Sequence, residues 1–395
     1  MAQRWQNWSG SLEFSPEQIA TPRSTGELQQ WVRRVRARNG TLRVVGQGHS
    51  SPPLVKTDDI LISLKEMSGV VSTDRRRCQA LVRPGSTLQE MGEQLLEADL
   101  AVHNLGDVNV QQLGGAIGTG THGTGRQLGN LSTMLIGLRM VTADGEIMER
   151  HIEEDPEFIR AARVALGTLG IFTLLRIQAQ PAFKLLRQEW CTSVHHCMEH
   201  LQELIEDNRN FDFYWYPRRD EVKLRTLNPP DEARPIPYAD LLNEEIDWAP
   251  RIISKTRELR FDEMEYCLPH EEGPKAFLKV RRKILDEHRR GVGWRTLYRT
   301  TAPDDAMLSP SHRRPTAVIS IHQNATLPFE EFFRDIEPIF LAHRGRPHWG
   351  KQHTLRAPEL STLYPDWQRF QSLRRQLDPD GLFMNDYLRN LFDTH

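Results

Sequence analysis

Long apolar runs are missing from this chain. No stretch approaches the roughly 20 residues that a membrane helix needs, and the opening Met1-Ala-Gln-Arg-Trp-Gln-Asn-Trp8 lacks the apolar centre of a secretory signal. Cysteine is scarce, and Cys78, Cys191, Cys197 and Cys267 form neither a CxxC pair nor a His/Cys metal spacing. No disulfide framework or metal site is expected, and the thiols read as reduced in a cytoplasmic protein. The formal net charge is -2, so the totals carry no footprint of a nucleic-acid or anionic-membrane partner. A Walker lysine, internal repeats and low-complexity tracts are absent as well. What remains is ordinary for a globular protein, with 38% hydrophobic and 26% charged residues. At 395 residues the chain exceeds what one core usually serves, so more than one domain is expected.

The first half alternates elements at mixed α/β spacing. Trp5, Trp8 and Phe14 among polar neighbours indicate a docked arm. Leu28, Trp31, Val32 and Val35 mark one face of a helix that stops at Asn39-Gly40. Leu42–Val45, Ile60–Ile62, Ala80–Val82 and Leu135–Val141 read as strands, and Thr87–Ala98 and Pro156–Val164 as helices. From about residue 183 glycine thins and aromatics cluster, as in Phe211-Asp-Phe-Tyr-Trp-Tyr-Pro217. Residues 225–258, rich in proline and charge, read as a partly mobile surface excursion, and Thr316–His322 as a well-buried strand.

The most informative stretch is Leu113-Gly-Gly-Ala-Ile-Gly-Thr-Gly-Thr-His-Gly-Thr-Gly125, with six glycines in thirteen residues. So much glycine argues against a helix and predicts a strand end running into a winding loop. Such a loop brings bare N–H groups and threonine hydroxyls against something bulky and rich in acceptors, such as a dinucleotide pyrophosphate or a flavin ring. Apolar Leu113, Ala116 and Ile117 set it apart from a flexible linker. Gly46-Gln-Gly-His-Ser50 is a second glycine turn carrying a histidine, and Leu166-Gly-Thr-Leu-Gly170 a third glycine-bearing segment.

Together these turns resemble the FAD-binding domain of the vanillyl-alcohol oxidase superfamily. Trp5–Trp8, Met264-Glu-Tyr-Cys-Leu-Pro269, Arg346-Pro-His-Trp-Gly-Lys351 and Asp378-Pro-Asp-Gly-Leu-Phe383, continuing to Asn385, resemble motifs of its aldonolactone oxidase and alditol oxidase branch. The resemblance implies an α+β protein. Residues 1–180 would form a two-subdomain PCMH-type FAD-binding domain, and 181–345 a substrate domain with a large antiparallel sheet flanked by helices. Residues 346–395 would return to the flavin. It further implies FAD bound covalently through His49 and contacted by Gly46, Gln47, Gly48, Ser50 and Ser51. The second stretch would add Gln112, Gly114, Gly115, Gly118, Thr119, Thr121, His122 and Gly123, and later segments Gly170, Ile171 and Asn385.

Oxidation of an alcohol needs a hydride acceptor, a route for the hydroxyl proton and cations for developing oxygen charge. The resemblance assigns the last two tasks to Lys351, Arg299 and His322. Without it, Lys351 reads as a surface lysine after a turn, and His322, His348 and Trp349 as packing. The family's glutamate two positions before the arginine is Leu297 here. That exchange implies an altered pocket and an Arg299 deprived of its acidic partner. The expected substrate is a sugar-derived lactone, a polyol or a similar hydroxylated molecule, with oxygen or another acceptor taking the electrons. Gly114 in place of a bulkier alanine implies access for oxygen. A non-sugar alcohol as substrate and a non-catalytic accessory protein are the competing readings.

Overall fold

The computed structural model describes residues 4–256 and 259–393, and three larger sheets organise them. The first three residues of the arm, and residues 257 and 258 of the expected excursion, lie outside the described set. A parallel sheet joins β1 (Gln18–Ala20), β2 (Leu42–Val45) and β3 (Ile60–Ser63) in the order β1-β3-β2. Helix α1 (Thr25–Arg36) covers it. The Ser24 hydroxyl accepts the Glu27 N–H at its start, and Leu28, Val32 and Val35 pack against Leu42, Ile60 and Ile62. The chain leaves α1 through Asn39 at φ +54, as the Asn-Gly pair predicts.

An antiparallel sheet follows, in the order β7-β6-β8-β5-β4, from β4 (Val70–Asp74), β5 (Gln79–Val82), β6 (Leu135–Val141), β7 (Ile147–His151) and β8 (Ile171–Gln178). Helix α2 (Leu88–Glu97) packs Leu88, Met91 and Leu95 into its core. The glycine-rich stretch departs from expectation here, because Leu113–Thr119 is a helix, α3. Leu113, Ala116 and Ile117, spaced i, i+3, i+4, enter the same core, and their burial offsets the roughly 1 kcal/mol that each helical glycine costs. Gly120 ends the helix in the left-handed region at φ +72.

The third sheet has eight antiparallel strands in the order β12-β9-β11-β10-β14-β15-β13-β16. They are β9 (Lys184–Ser193), β10 (Asn210–Tyr216), β11 (Glu221–Asn228), β12 (Asp240–Trp248), β13 (Phe261–Pro269), β14 (Thr296–Thr301), β15 (Thr316–Asn324) and β16 (Arg346–Pro347). The supposed excursion at 225–258 therefore contains the end of β11 and the whole edge strand β12, which pairs with β9 from Lys184 to Cys191. Its dense charge reflects an exposed edge strand, not a mobile loop.

Strand alternation gives the large sheet two different faces. Phe213, Met264, Tyr266, Tyr298, Ile319 and Ile321 form a core with helices α4 (Gly273–Lys283) and α5 (Glu330–Ala342). Asp212, Glu263, Glu265, Arg299, Ser320 and His322 occupy the alternate positions, facing away from that core. After β16 the chain crosses back to the first half. Leu360, Tyr364, Phe370 and Phe392 join the core of the antiparallel sheet, and the Leu42 N–H donates to the Leu382 carbonyl at 2.9 Å. No helix among the described residues is long and apolar enough to cross a membrane.

Candidate active site

Two cavities meet at His49. The first lies between the glycine-bearing segments of the two smaller sheets. The second lies under the polar face of the large sheet. His49, Ser50, Gln111 and Thr119 line both.

The first cavity is a backbone cradle. Gly46, Gln47, Gly48, His49 and Ser50 follow β2; Gln112, Gly114, Gly115, Gly118 and Thr119 come from α3; Gly170 and Ile171 open β8. Gly48 turns at φ +68, and a Cβ there would stand 2.8 Å from the Trp5 ring. Around Gly115 and Gly118 an added Cβ would meet nothing within 4 Å, so the cavity reaches the bare backbone of α3. Gly114 lines the cavity too, and a Cβ there would stand 2.9 Å from Pro84 Cβ. It is glycine because of that close approach, and the open position is its neighbour Gly115. Apolar Val45, Leu54 and Phe172 complete a wall suited to a flat ring bearing phosphates. Buried Arg43 ties the cradle together, donating to the carbonyls of Leu54, Leu166, Gly167 and Phe383. Desolvation lowers its pKa to about 10.

Five further residues expected at the cofactor do not line this first cavity. Ser51, Thr121 and His122 line the second cavity. Gly123 lines neither, and a Cβ there would overlap the Leu105 carbonyl, so close packing explains it. Asn385 also lines neither. It caps the helix Asp386–Phe392 and donates to the carbonyls of Pro53 and Lys56, bracing the loop behind the His49 turn.

The second cavity gathers Lys351, Arg299 and His322. The sequence reading missed how they are held. Glu263 on β13 takes His322 Nε2 on one carboxylate oxygen at 3.1 Å and Lys351 Nζ on the other. His322 Nδ1 faces the Arg295 carbonyl at 2.9 Å. Both ring nitrogens thus face oxygen atoms. Two residues on, Glu265 Oε1 meets His122 Nε2 at 3.0 Å, and Oε2 accepts the Ser320 hydroxyl. Arg299 is not left without acids, contrary to what Leu297 implied. Asp107 and Asp212 both bind it, and both also bind Arg225. Tyr214 donates to Asp107 at 3.0 Å and stacks under the Arg295 guanidinium at 4.0 Å. One sequence signal for these residues existed. Asp212 sits between Phe211 and Phe213, and Glu263 and Glu265 flank Met264, so in each strand the acids take the face opposite apolar residues.

The electrostatics follow from burial and pairing. Burial pushes Glu263 upward, but the charges of Lys351 and His322 outweigh it and hold the carboxyl at about 2. Glu265 also lies well below the usual range, burial being outweighed by His122. Lys351 is raised, since Glu263 and Glu265 outweigh its desolvation. His348 and His49 are both lowered to about 4, by burial first. His122, Glu265 and His348 approach one another closely enough to suggest a metal site. His348 argues against it, because its Nδ1 accepts the Gly350 N–H at 3.0 Å, which leaves the proton on Nε2. Trp8, Phe261 and Trp294 line the cavity as an aromatic wall, with the Trp8 ring 5.0 Å from His49.

Comparison with known proteins matches both parts of this arrangement. Residues 16–150 match the FAD binding domain family, and residues 175–249 and 242–391 match D-arabinono-1,4-lactone oxidase. L-gulono-1,4-lactone dehydrogenase of Mycobacterium tuberculosis is 34% identical over 433 aligned residues, covering 99% of each chain. L-gulonolactone oxidase of Mus musculus is 28% identical over 98% of each. Among solved structures, glucooligosaccharide oxidase from Acremonium strictum, described with a 6-S-cysteinyl, 8α-N1-histidyl FAD, superposes with a TM-score of 0.80. It shares 17% identity over 98% of this chain and 94% of its own, and so bears on the fold.

Proposed function

The chain belongs to the D-arabinono-1,4-lactone oxidase family of FAD-dependent oxidoreductases acting on CH–OH groups, and from that premise we propose that it oxidises a 1,4-lactone of a sugar acid at the Lys351–Glu263–His322 end of the second cavity. The observation that carries this reading is the contact between a glycine cradle and a buried, charge-paired cavity at His49. The cradle fits FAD: three backbone segments stand open to it, and two of its glycines face empty space. When bound, FAD supplies the hydride acceptor.

The chain's own residues supply the rest. Lys351, kept charged by Glu263, presents an ammonium to the oxygen of the reacting CH–OH group. Arg299, fixed by Asp107 and Asp212, fits a lactone or hydroxyl oxygen as a rigid fork. His322, locked between Glu263 and the Arg295 carbonyl, holds the far side of the same carboxylate. The aromatic wall of Trp8, Phe261 and Trp294 excludes water and receives the C–H faces of the sugar ring. Residues 1–180, 181–345 and 346–395 serve respectively as cofactor unit, substrate unit and closing segment.

The attachment of FAD through His49 belongs to this proposal. His49 stands at the junction of the cavities, and a ring lowered to about 4 keeps a lone pair available at neutral pH. Oxygen as the acceptor is supported by the open space over Gly115. A screen of 1,4-lactones and polyols with a dye acceptor and with oxygen tests the substrate and the acceptor. Acid precipitation tests the bond: colour stays with wild-type protein and leaves with His49→Ala. Release of all flavin from wild-type protein would refute covalent attachment.

A further inference from the structure

We propose that Glu265 determines which hydroxyl pattern the substrate must carry, by accepting a hydrogen bond from one lactone hydroxyl while Leu297 receives an apolar edge. The inference rests on the lactone reading above. Its basis is strand register. Leu297 on β14 stands opposite Ser320 on β15, and Ser320 stands opposite Glu265 on β13. Directly opposed residues of antiparallel strands project from the same face, about 5 Å apart at each step. The three therefore form one row across the cavity side, apolar at one end and anionic at the other, with ends roughly 10 Å apart.

Leu297 and Glu265 both line the cavity, and both are nearly covered by protein, at 3% exposure each. Glu263, the other acid on this face of β13, has a nitrogen partner on each oxygen, His322 Nε2 on one and Lys351 Nζ on the other. Glu265 has His122 on one oxygen and only the neutral Ser320 hydroxyl on the other. A carboxylate offers about four lone-pair positions, so Glu265 can accept a further donor from the cavity. The acid expected at position 297 is thus replaced by one two strands away, beside His122. The accepted hydroxyl lies toward the glycine-rich stretch, and a hydroxyl directed at Leu297 is left without a partner.

The test compares kcat/KM for a 1,4-lactone that wild-type holoenzyme oxidises with its monodeoxy analogues. Wild type discriminates by ~10²-fold against the analogue lacking the hydroxyl that meets Glu265, since that analogue leaves a buried carboxylate short of a donor. Glu265→Gln, which keeps shape and loses charge, reduces that ratio about tenfold and leaves the other ratios unchanged. Ser320→Ala alters the same ratio alone, and Leu297→Gln creates a new preference at a different hydroxyl. A Glu265→Gln enzyme that slows equally on every analogue would make Glu265 merely the hydrogen-bond partner of His122 and overturn the proposal. If that variant does not fold, Ser320→Ala and Leu297→Gln decide, and unchanged ratios in both overturn it. Wild-type protein that oxidises no lactone would overturn the functional reading and this proposal together; lactone turnover with uniform ratios would overturn this proposal alone.

Discussion

Replacing Lys351 by methionine removes one charge from a site where every charge has a partner. Lys351 Nζ is bound to Glu263, whose other oxygen keeps His322 Nε2 at 3.1 Å. Glu263 therefore retains a hydrogen-bond partner in the variant, and the fold is expected to survive. The ammonium that faces the reacting oxygen is lost. Deleting one preorganised group of this kind costs ~10²–10³ in turnover, about 2.7–4 kcal/mol. Anaerobic stopped-flow mixing with a lactone measures the step itself. Lys351→Met should hold wild-type amounts of flavin and reduce it ~10²–10³-fold more slowly. The charge has a pH signature too. The folded pKa of Lys351 is raised, so its stabilising contribution is complete below the ordinary lysine value of 10.5 and is lost only as pH rises through the folded value. Reduction within a few-fold of wild type in Lys351→Met would refute the role given to this residue.

Gly115→Ala places a methyl in the open space of the cradle and should slow reoxidation by oxygen, read by stopped flow with flavin content as control. Gly114→Ala instead drives a Cβ against Pro84 and should lower the melting temperature, with reoxidation less affected. Asp212→Ala strips a carboxylate that binds both Arg299 and Arg225, and should cost about 3–5 kcal/mol in denaturant unfolding. His348 is 4% exposed and lowered from 6.5 to about 4. The unfolded chain then binds more protons between those values, so stability falls as pH drops from 6.5 toward 4, by about 3 kcal/mol in all. His348→Gln should flatten that slope in unfolding curves taken across the range.

The glycine and histidine turns were legible because their chemistry is local. Gly48 needs a left-handed φ, and the bare backbone of Gly115 needs no distant partner to explain it. The helical state of Leu113–Thr119 was not legible, since propensity counts its glycines while the outcome turns on Leu113 and Ile117 meeting a core built from other segments. Asp107 and Asp212 were hidden for a similar reason. Arg299 finds Asp107 and Asp212 from 192 and 87 residues away, and neither spacing has a signature. Asn385 caps a helix and braces the loop behind the cradle, and no spacing in the sequence signals either contact.

The central claim is that the cradle and the paired-charge cavity work as one site for lactone oxidation. Anaerobic addition of L-gulono-1,4-lactone, and of related 1,4-lactones, to the FAD-loaded protein tests it most directly. The account predicts that the visible flavin absorption bleaches with at least one of these lactones and that Lys351→Met largely abolishes the bleaching. Protein that holds FAD yet stays yellow with every lactone, or a Lys351→Met variant that bleaches as fast as wild type, would contradict it.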